Sequence, residues 1–192
     1  QRSIERLKER IQESDAITDA DREALQDFDH ELTLRAQSYS DQRHEKLLMR
    51  LVKIAEEVGG LADALEDKDA AEDVVSWIHS EYDNPETNRD YRIALRMFGE
   101  HATEGTDKPD CIDWIPSTYP STYDPAPDPA EMLRWEDDVK PMLEACQNFR
   151  DKALIALAWD AGPRPGELYD LRIGDITDHK YGKQITVHGK QG

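Results

Sequence analysis

The chain has 192 residues and a formal net charge of −18, because its 42 Asp and Glu residues outnumber its 24 Lys and Arg residues. The length suits one domain or two small ones. The apolar residues occur in periodic groups, which excludes a wholly disordered chain. The net charge argues against a nucleic-acid partner. No apolar run reaches membrane-spanning length, and no N-terminal signal peptide is recognisable. The two cysteines have neither metal-ligand nor disulfide spacing, which suits a reducing compartment. We therefore expect a cytoplasmic protein.

Helices are predicted throughout the first hundred residues. Apolar side chains at helical spacing predict a short helix over 3–11 and a longer one that begins at the N-cap residue Thr18. A further helix is predicted over about 41–58, with Ser40 as its N-cap, and the Gly59-Gly60 pair should end it.

Two more helices complete this part of the chain. One is predicted over about 69–82, and the sequence Thr87-Asn-Arg-Asp90 is a capping box that should begin the other. We therefore predict that residues 1–104 form a bundle of four to five helices. Residues 105–130 contain six of the ten prolines, which predicts an extended linker between domains.

Residues 131–192 are predicted to form a second unit of helices followed by a β-hairpin. Helices are expected over 135–146 and 148–161, and the second of these is so apolar that it should be buried. Pro165 suits the start of a short helix. Two strands are then predicted, over 173–177 and 184–188.

The acidic residues are unevenly distributed along the chain. Residues 1–140 contain 17 basic and 35 acidic residues, whereas residues 141–192 contain 7 of each. Such an acidic surface fits a cytoplasm of very high salt, since the Debye length falls to about 3 Å at 1 M and self-repulsion is screened. The excess of Arg (14) over Lys (10) agrees with a halophilic protein.

Two rows of basic side chains interrupt this acidic background. Each row recurs at helical spacing on a side away from the apolar face, and is therefore expected to point outward. One interpretation is a solvated face whose charges pair with Asp41, Glu45 or Asp90. The other is contact with DNA phosphates, which two parallel rows favour. The predicted DNA-binding residues are Arg43, Lys46, Arg50, Lys53, Asn88, Arg89, Arg92 and Arg96.

A second group of candidate residues lies in the C-terminal unit. Arg164 occupies a tight break between two predicted helices, where a rigid guanidinium could hold a phosphate. Lys190 lies in a glycine-flanked turn after the hairpin, from which an ammonium group could reach a substrate. Taken singly, the two residues favour the simpler interpretation, in which Arg164 caps a helix and Lys190 is an exposed lysine in a turn.

The order of these motifs resembles the tyrosine recombinases, the phage-integrase and Xer-like enzymes. The resemblance covers nearly the whole chain and includes a 26-residue separation between Arg164 and Lys190. The elements that carry it are the run 148–159, Gly162-x-Arg164-x-x-Glu167-Leu168, Leu171, Asp175-Ile176 and Val187-x-Gly189-Lys190. It implies a SAM-like core-binding domain followed by the start of an α+β catalytic domain.

In that family a tyrosine attacks a DNA phosphate and forms a phosphotyrosyl intermediate. The resemblance implies that Arg164 neutralises the reacting phosphate and that Lys190 is a general acid. It also implies duplex DNA with inverted half-sites as the partner, a tetramer on DNA, and neither a metal nor a cofactor. Pro163 and Pro165 depart from the family's commoner residues at those positions.

The family's remaining catalytic residues are missing from their expected places. No histidine has an arginine three residues after it, and all seven tyrosines precede Lys190. We therefore expect this sequence to be a fragment of a recombinase, or a naturally shortened one, that binds DNA but does not cut it. The alternatives are a non-catalytic DNA-binding regulator built from the same helices, and an acidic scaffold that binds protein.

Overall fold

A computed structural model describes residues 2–35, 38–102 and 109–189. The chain is mainly helical, with a small two-stranded antiparallel sheet near its C-terminus, as the sequence predicts. It divides into two compact units, Gln1–Asp124 (unit 1) and Pro125–Gly192 (unit 2).

Unit 1 is a bundle of helices whose starts follow the predicted caps. The hydroxyl of Thr18 accepts a hydrogen bond from the Asp21 amide at 3.1 Å, and that of Ser40 accepts one from the Arg43 amide at 3.3 Å. The helices are α1 Arg2–Glu13, α2 Asp19–Leu34, α3 Asp41–Glu57, α4 Lys68–Glu81, α5 Pro85–Ala102 and α6 Asp110–Asp113.

The start of α5 differs from the prediction. The Asn84 side chain accepts hydrogen bonds from the amides of Glu86 and Thr87 at 2.9 and 3.0 Å, so Asn84 is the cap. Pro85 occupies the first helical position, where its fixed φ and missing N–H are tolerated. The predicted capping box at Thr87 is therefore wrong, because the Asn-Pro pair begins the helix one turn earlier.

The core of unit 1 extends into the segment predicted as a linker. Ile112 and Ile115 are both 0% exposed and belong to the same apolar cluster as the helices. The linker prediction is therefore wrong for residues 109–124. Proline density excludes long elements, but Pro109 lies just before the short α6, where it obstructs no helical hydrogen bond.

A buried polar group joins the first three helices. In α2, Asp29 Oδ1 lies 2.8 Å from His44 Nε2, within hydrogen-bond distance, and Asp29 Oδ2 forms an ion pair with the Lys8 ammonium at 3.0 Å. His44 begins the inner face of α3 and Lys8 lies on α1. The three side chains link α1, α2 and α3, and they pair the Asp29 carboxylate, as its burial requires.

His101 gives unit 1 a pH-dependent stability. The ring is buried against the Phe28 and Tyr39 rings, at centroid distances of 5.3 and 6.2 Å. Burial, and then the charge of Arg35, lowers the pKa of His101 below its usual value. As pH falls, His101 is therefore protonated at a higher pH in the unfolded chain than in the folded protein. The free energy of unfolding decreases as pH falls from about 6.5 towards the lower folded-state pKa.

We expect the His101→Phe variant to lose less stability than the parent protein when pH is lowered from 7 to 5. Phe keeps the aromatic contacts and has no proton to bind. Urea unfolding of both proteins at the two pH values measures the difference. An equal loss in both proteins would show that His101 does not contribute.

Unit 2 consists of short elements. A π-helical turn, Trp135–Val139, leads into the first helix, and the last helix is followed by a hairpin in which Ile176 lies opposite Ile185. The elements are α7 Lys140–Ala145, α8 Phe149–Ala161, α9 Pro165–Asp170, β1 Ile176–His179 and β2 Gly182–Ile185. The predicted bounds of both strands are wrong: β1 begins three residues later, because residues 173–175 form a 3₁₀ turn, and β2 begins two residues earlier, because His179 and Gly182 are already paired.

The apolar side chains of unit 2 are largely uncovered. Among its described residues only Val139 is a buried hydrophobic residue, and Phe149 of α8 is 89% exposed. The helix prediction for α8 is confirmed, but the prediction that it is buried is wrong for the described residues. Its Trp159 ring lies 6.0 Å from that of Trp135, and both remain accessible.

Candidate nucleic-acid interface

A basic groove lies between α3 and α5 in unit 1. It has a volume of about 470 Å³ and contains four of the eight predicted DNA-binding residues. It is lined by Ser40, Gln42, Arg43, Lys46, Leu47, Arg50, Arg89, Asp90 and Ile93. We call this surface the basic groove; among its lining residues Asp90 is the one carboxylate.

The cations contributed by α3 differ in how firmly they are held. The Arg43 guanidinium lies 5.6 Å from the Tyr39 ring centroid, with Nη2 at 3.4 Å from the Met97 sulfur. Lys46 has no ion pair within the part of the chain that the structure describes. These two side chains therefore have their charge available to a ligand.

Arg50 is already engaged with an acid inside the groove. Its Nη2 pairs with Asp90, and its guanidinium lies 6.0 Å from the Tyr91 ring centroid. The Arg50 side chain is only 15% exposed, so its position is fixed. An anion approaching Arg50 must therefore compete with the Asp90 carboxylate.

Arg89 is the groove cation supplied by α5. Its Nε donates to the Ser117 carbonyl at 2.7 Å, and its guanidinium lies 4.6 Å from the Tyr119 ring centroid. Within the described ranges, its two Nη groups make no hydrogen bond. They are the outer donors of a planar fork, the geometry that suits a phosphate.

The other predicted residues of α5 bind the protein's own backbone. The Asn88 amide donates to the carbonyls of Ile78 and Tyr82, at 3.3 and 3.2 Å. Arg92, which is 4% exposed, donates to Asn88 and to the carbonyls of residues 116 and 118. The prediction that the α5 row points outward is therefore wrong for Arg92, and the Asn88 amide, also predicted to bind DNA, is directed into the protein.

Arg96 completes a ladder of arginines along α5. It donates to the carbonyls of Asp113 and Ile115, the first at 2.6 Å. Together with Arg89 and Arg92 it satisfies backbone carbonyls over residues 113–118. We call residues 113–119 the strap, because three successive turns of α5 hold it in place. The α5 arginines do not all point into solvent because the strap covers the polar side of α5.

Lys53 lies at the far end of the α3 row, outside the basic groove. Its ammonium pairs with Glu57 one turn later at 2.6 Å, and this hydrogen bond raises the pKa of Lys53. The pair is exposed, so we expect it to contribute little to stability.

Arg164 lies between α8 and α9 in unit 2. Gly162, with φ of 54°, ends α8, and Glu167 accepts from the Arg164 amide at 2.7 Å. The Arg164 guanidinium is 76% exposed and lies 3.4 Å from Glu167. The prediction that α9 begins at Pro165 is confirmed.

The end of the hairpin returns to the helix that follows Arg164. A Cβ atom added to Gly189 would lie 3.5 Å from the Glu167 carboxylate. This places the residue before Lys190 beside the partner of Arg164. Lys190 itself lies outside the described residues.

Sequence reasoning missed the role of the strap. Tyr119 and Ser117 lie in a proline-rich segment without periodicity, so no helical or strand pattern marked them. The available signal was the pair of apolar residues Ile112 and Ile115, which a solvated linker would not need. The possible pairing of a basic row with Asp90 was anticipated, and the structure confirms it for Arg50.

The described residues contain neither a candidate metal site nor a membrane-spanning helix. Among residues 2–35, 38–102 and 109–189, no helix is long and apolar enough to cross a bilayer, and no cluster of His, Cys, Asp and Glu could hold a metal ion. No family model, no curated protein and no solved structure matches the chain.

Proposed function

We propose that the chain binds duplex DNA through the basic groove, as part of a site-specific recombinase of the tyrosine-recombinase type. The observation that carries this proposal is the convergence of Arg43, Lys46, Arg50 and Arg89 in one groove of a protein whose net charge is −18. The four cations repel one another, and Asp90 neutralises only Arg50, so a bound anion would lower the electrostatic energy of the groove. The phosphate backbone of DNA is a polyanion long enough to contact several of these side chains at once.

The length of the row favours a polymer over a single small anion. Arg43 and Arg50 are seven residues apart on one helix, which corresponds to about 10 Å along its axis. Successive nucleotides of a DNA strand advance about 3.4 Å along the duplex axis. The row can therefore follow more than one phosphate of the same strand.

The catalytic part of the proposal rests on unit 2. Arg164 is presented at a break between two helices, and Gly189 lies beside its partner Glu167. A guanidinium held there could neutralise a phosphate, and an ammonium group after Gly189 could protonate a leaving oxygen. We further propose a SAM-like bundle, inverted half-sites and a tetramer on DNA, all implied by the family resemblance.

Salt dependence of DNA binding tests the proposal. With about three available cations, the slope of log K against log salt should be about −3. Fluorescence anisotropy with a labelled 30-base-pair duplex, measured from about 50 to 400 mM KCl, gives the slope. Absence of binding at the lowest salt, or binding that does not change with salt, would overturn the proposal.

A further inference from the structure

Arg89 is held by the strap on two sides. The Ser117 carbonyl accepts from its Nε at 2.7 Å, and the Tyr119 ring lies 4.6 Å from its guanidinium carbon. Arg89 nevertheless lines the basic groove. One edge and one face of the guanidinium are therefore occupied, while the edge with both Nη groups is available for a ligand.

The strap is itself firmly fixed. Arg92 and Arg96 bind its backbone carbonyls, and Ile115 is buried in the core. The Tyr119 ring also lies 4.8 Å from the Tyr123 ring, and the Tyr123 hydroxyl donates to Glu86 of α5 at 2.8 Å. Tyr119 is thus supported independently of Arg89.

We propose that Tyr119 is a positioning residue of the basic groove, which orients Arg89 so that its two Nη groups face an incoming phosphate. This inference rests on the proposed function and names the residue that prepares the groove. A free arginine has many rotamers and loses most of them when it binds an anion. An arginine stacked on a fixed ring has already lost them, so binding is more favourable.

The opposite possibility is that the strap competes with the anion for Arg89. In that case removing the Tyr119 ring would release the guanidinium and tighten binding. The geometry favours positioning, because the strap uses Nε and the ring face and leaves the Nη groups unbonded within the described residues. The two possibilities predict opposite changes in affinity.

A double-mutant cycle tests the proposal with a labelled duplex as the probe. We expect Tyr119→Ala to weaken binding about fivefold and to lower the magnitude of the salt slope by about one, as loss of one phosphate contact does. Tyr119→Phe keeps the ring and should bind like the parent. In the Arg89→Gln background, Tyr119→Ala should have no further effect.

Three results would overturn the proposal. Tyr119→Ala could tighten binding, it could weaken binding equally with and without Arg89, or Tyr119→Phe could be as weak as Tyr119→Ala. Circular dichroism shows whether each variant is folded.

The same cycle with inorganic triphosphate separates this inference from the proposed function. Binding of triphosphate but not of the duplex, with the same coupling between Tyr119 and Arg89, would contradict the DNA proposal and support the positioning role. Binding of neither anion would overturn both.

Discussion

Replacing Arg43, Lys46 and Arg89 with Gln should weaken duplex-DNA binding by two to three orders of magnitude at about 100 mM salt. Each phosphate contact releases about 0.9 counterion, so three contacts contribute about 2.7 logarithmic units at that salt concentration. Arg43 and Lys46 make no ion pair within the described ranges, and Gln keeps much of each side chain. Arg50 is left unchanged because it is tied to Asp90. Anisotropy with the labelled duplex measures the loss.

Two controls give this prediction its specificity. Replacing Arg2, Arg6 and Arg35 with Gln removes the same charge from α1 and from the end of α2, away from the strap, and should change affinity no more than about threefold. Asp90→Asn removes the competitor of Arg50 and should tighten binding by about fivefold, the scale of one partly exposed ion pair. If the first control loses as much affinity as the groove variant, the groove is not the binding site.

The two basic rows show how far helical periodicity can predict a site. Spacing alone identified both rows and the apolar faces opposite them. For α3 the spacing correctly predicts an outward row at Arg43, Lys46 and Arg50, which line the basic groove, whereas Lys53 lies outside it. DNA binding by this row stays a prediction. For α5 the spacing was not enough, because the segment that covers its polar side comes from residues 113–118, which are distant in sequence. Local pattern determines which side of a helix is polar, but not what packs against it.

Which residues are buried in each unit also depends on the surface that packs against them, and local sequence pattern does not reveal that surface. Ile112 and Ile115 were missed as core residues because the prolines around them suggested a solvated linker. Conversely, α8 was correctly predicted as a helix, yet Phe149 and Leu154 remain exposed in unit 2. Helix formation follows from the residues of the segment itself, whereas burial requires a second surface. Caps such as Ser40 were predictable because donor and acceptor are three residues apart.

The contact between α5 and α6 leads to the largest stability effect that we expect. A Cβ atom at Gly99 would lie 1.7 Å from Ile112 Cδ1, and Pro109 is also within 3.3 Å. Gly99→Val should therefore force α6 away from α5 and destabilise unit 1 by about 3 kcal/mol, the upper range for overpacking a core. Because α6 immediately precedes the strap, the Arg92 and Arg96 contacts should weaken as well. Urea unfolding followed by circular dichroism measures the change.

A pair of substitutions that compensate in size, at Gly99 and Ile112, shows whether the close approach of these two residues causes the loss of stability. Ile112→Ala alone should destabilise unit 1 by about 2–4 kcal/mol, because it leaves a cavity at a fully buried position. Combined with Gly99→Val it makes room for the new side chain, so the double variant should be clearly more stable than the sum of the two losses predicts. Strict additivity would mean that Gly99 and Ile112 are not in contact. The contacts of Arg92 and Arg96 with the strap would then be undisturbed, and Gly99→Val should leave DNA binding unchanged.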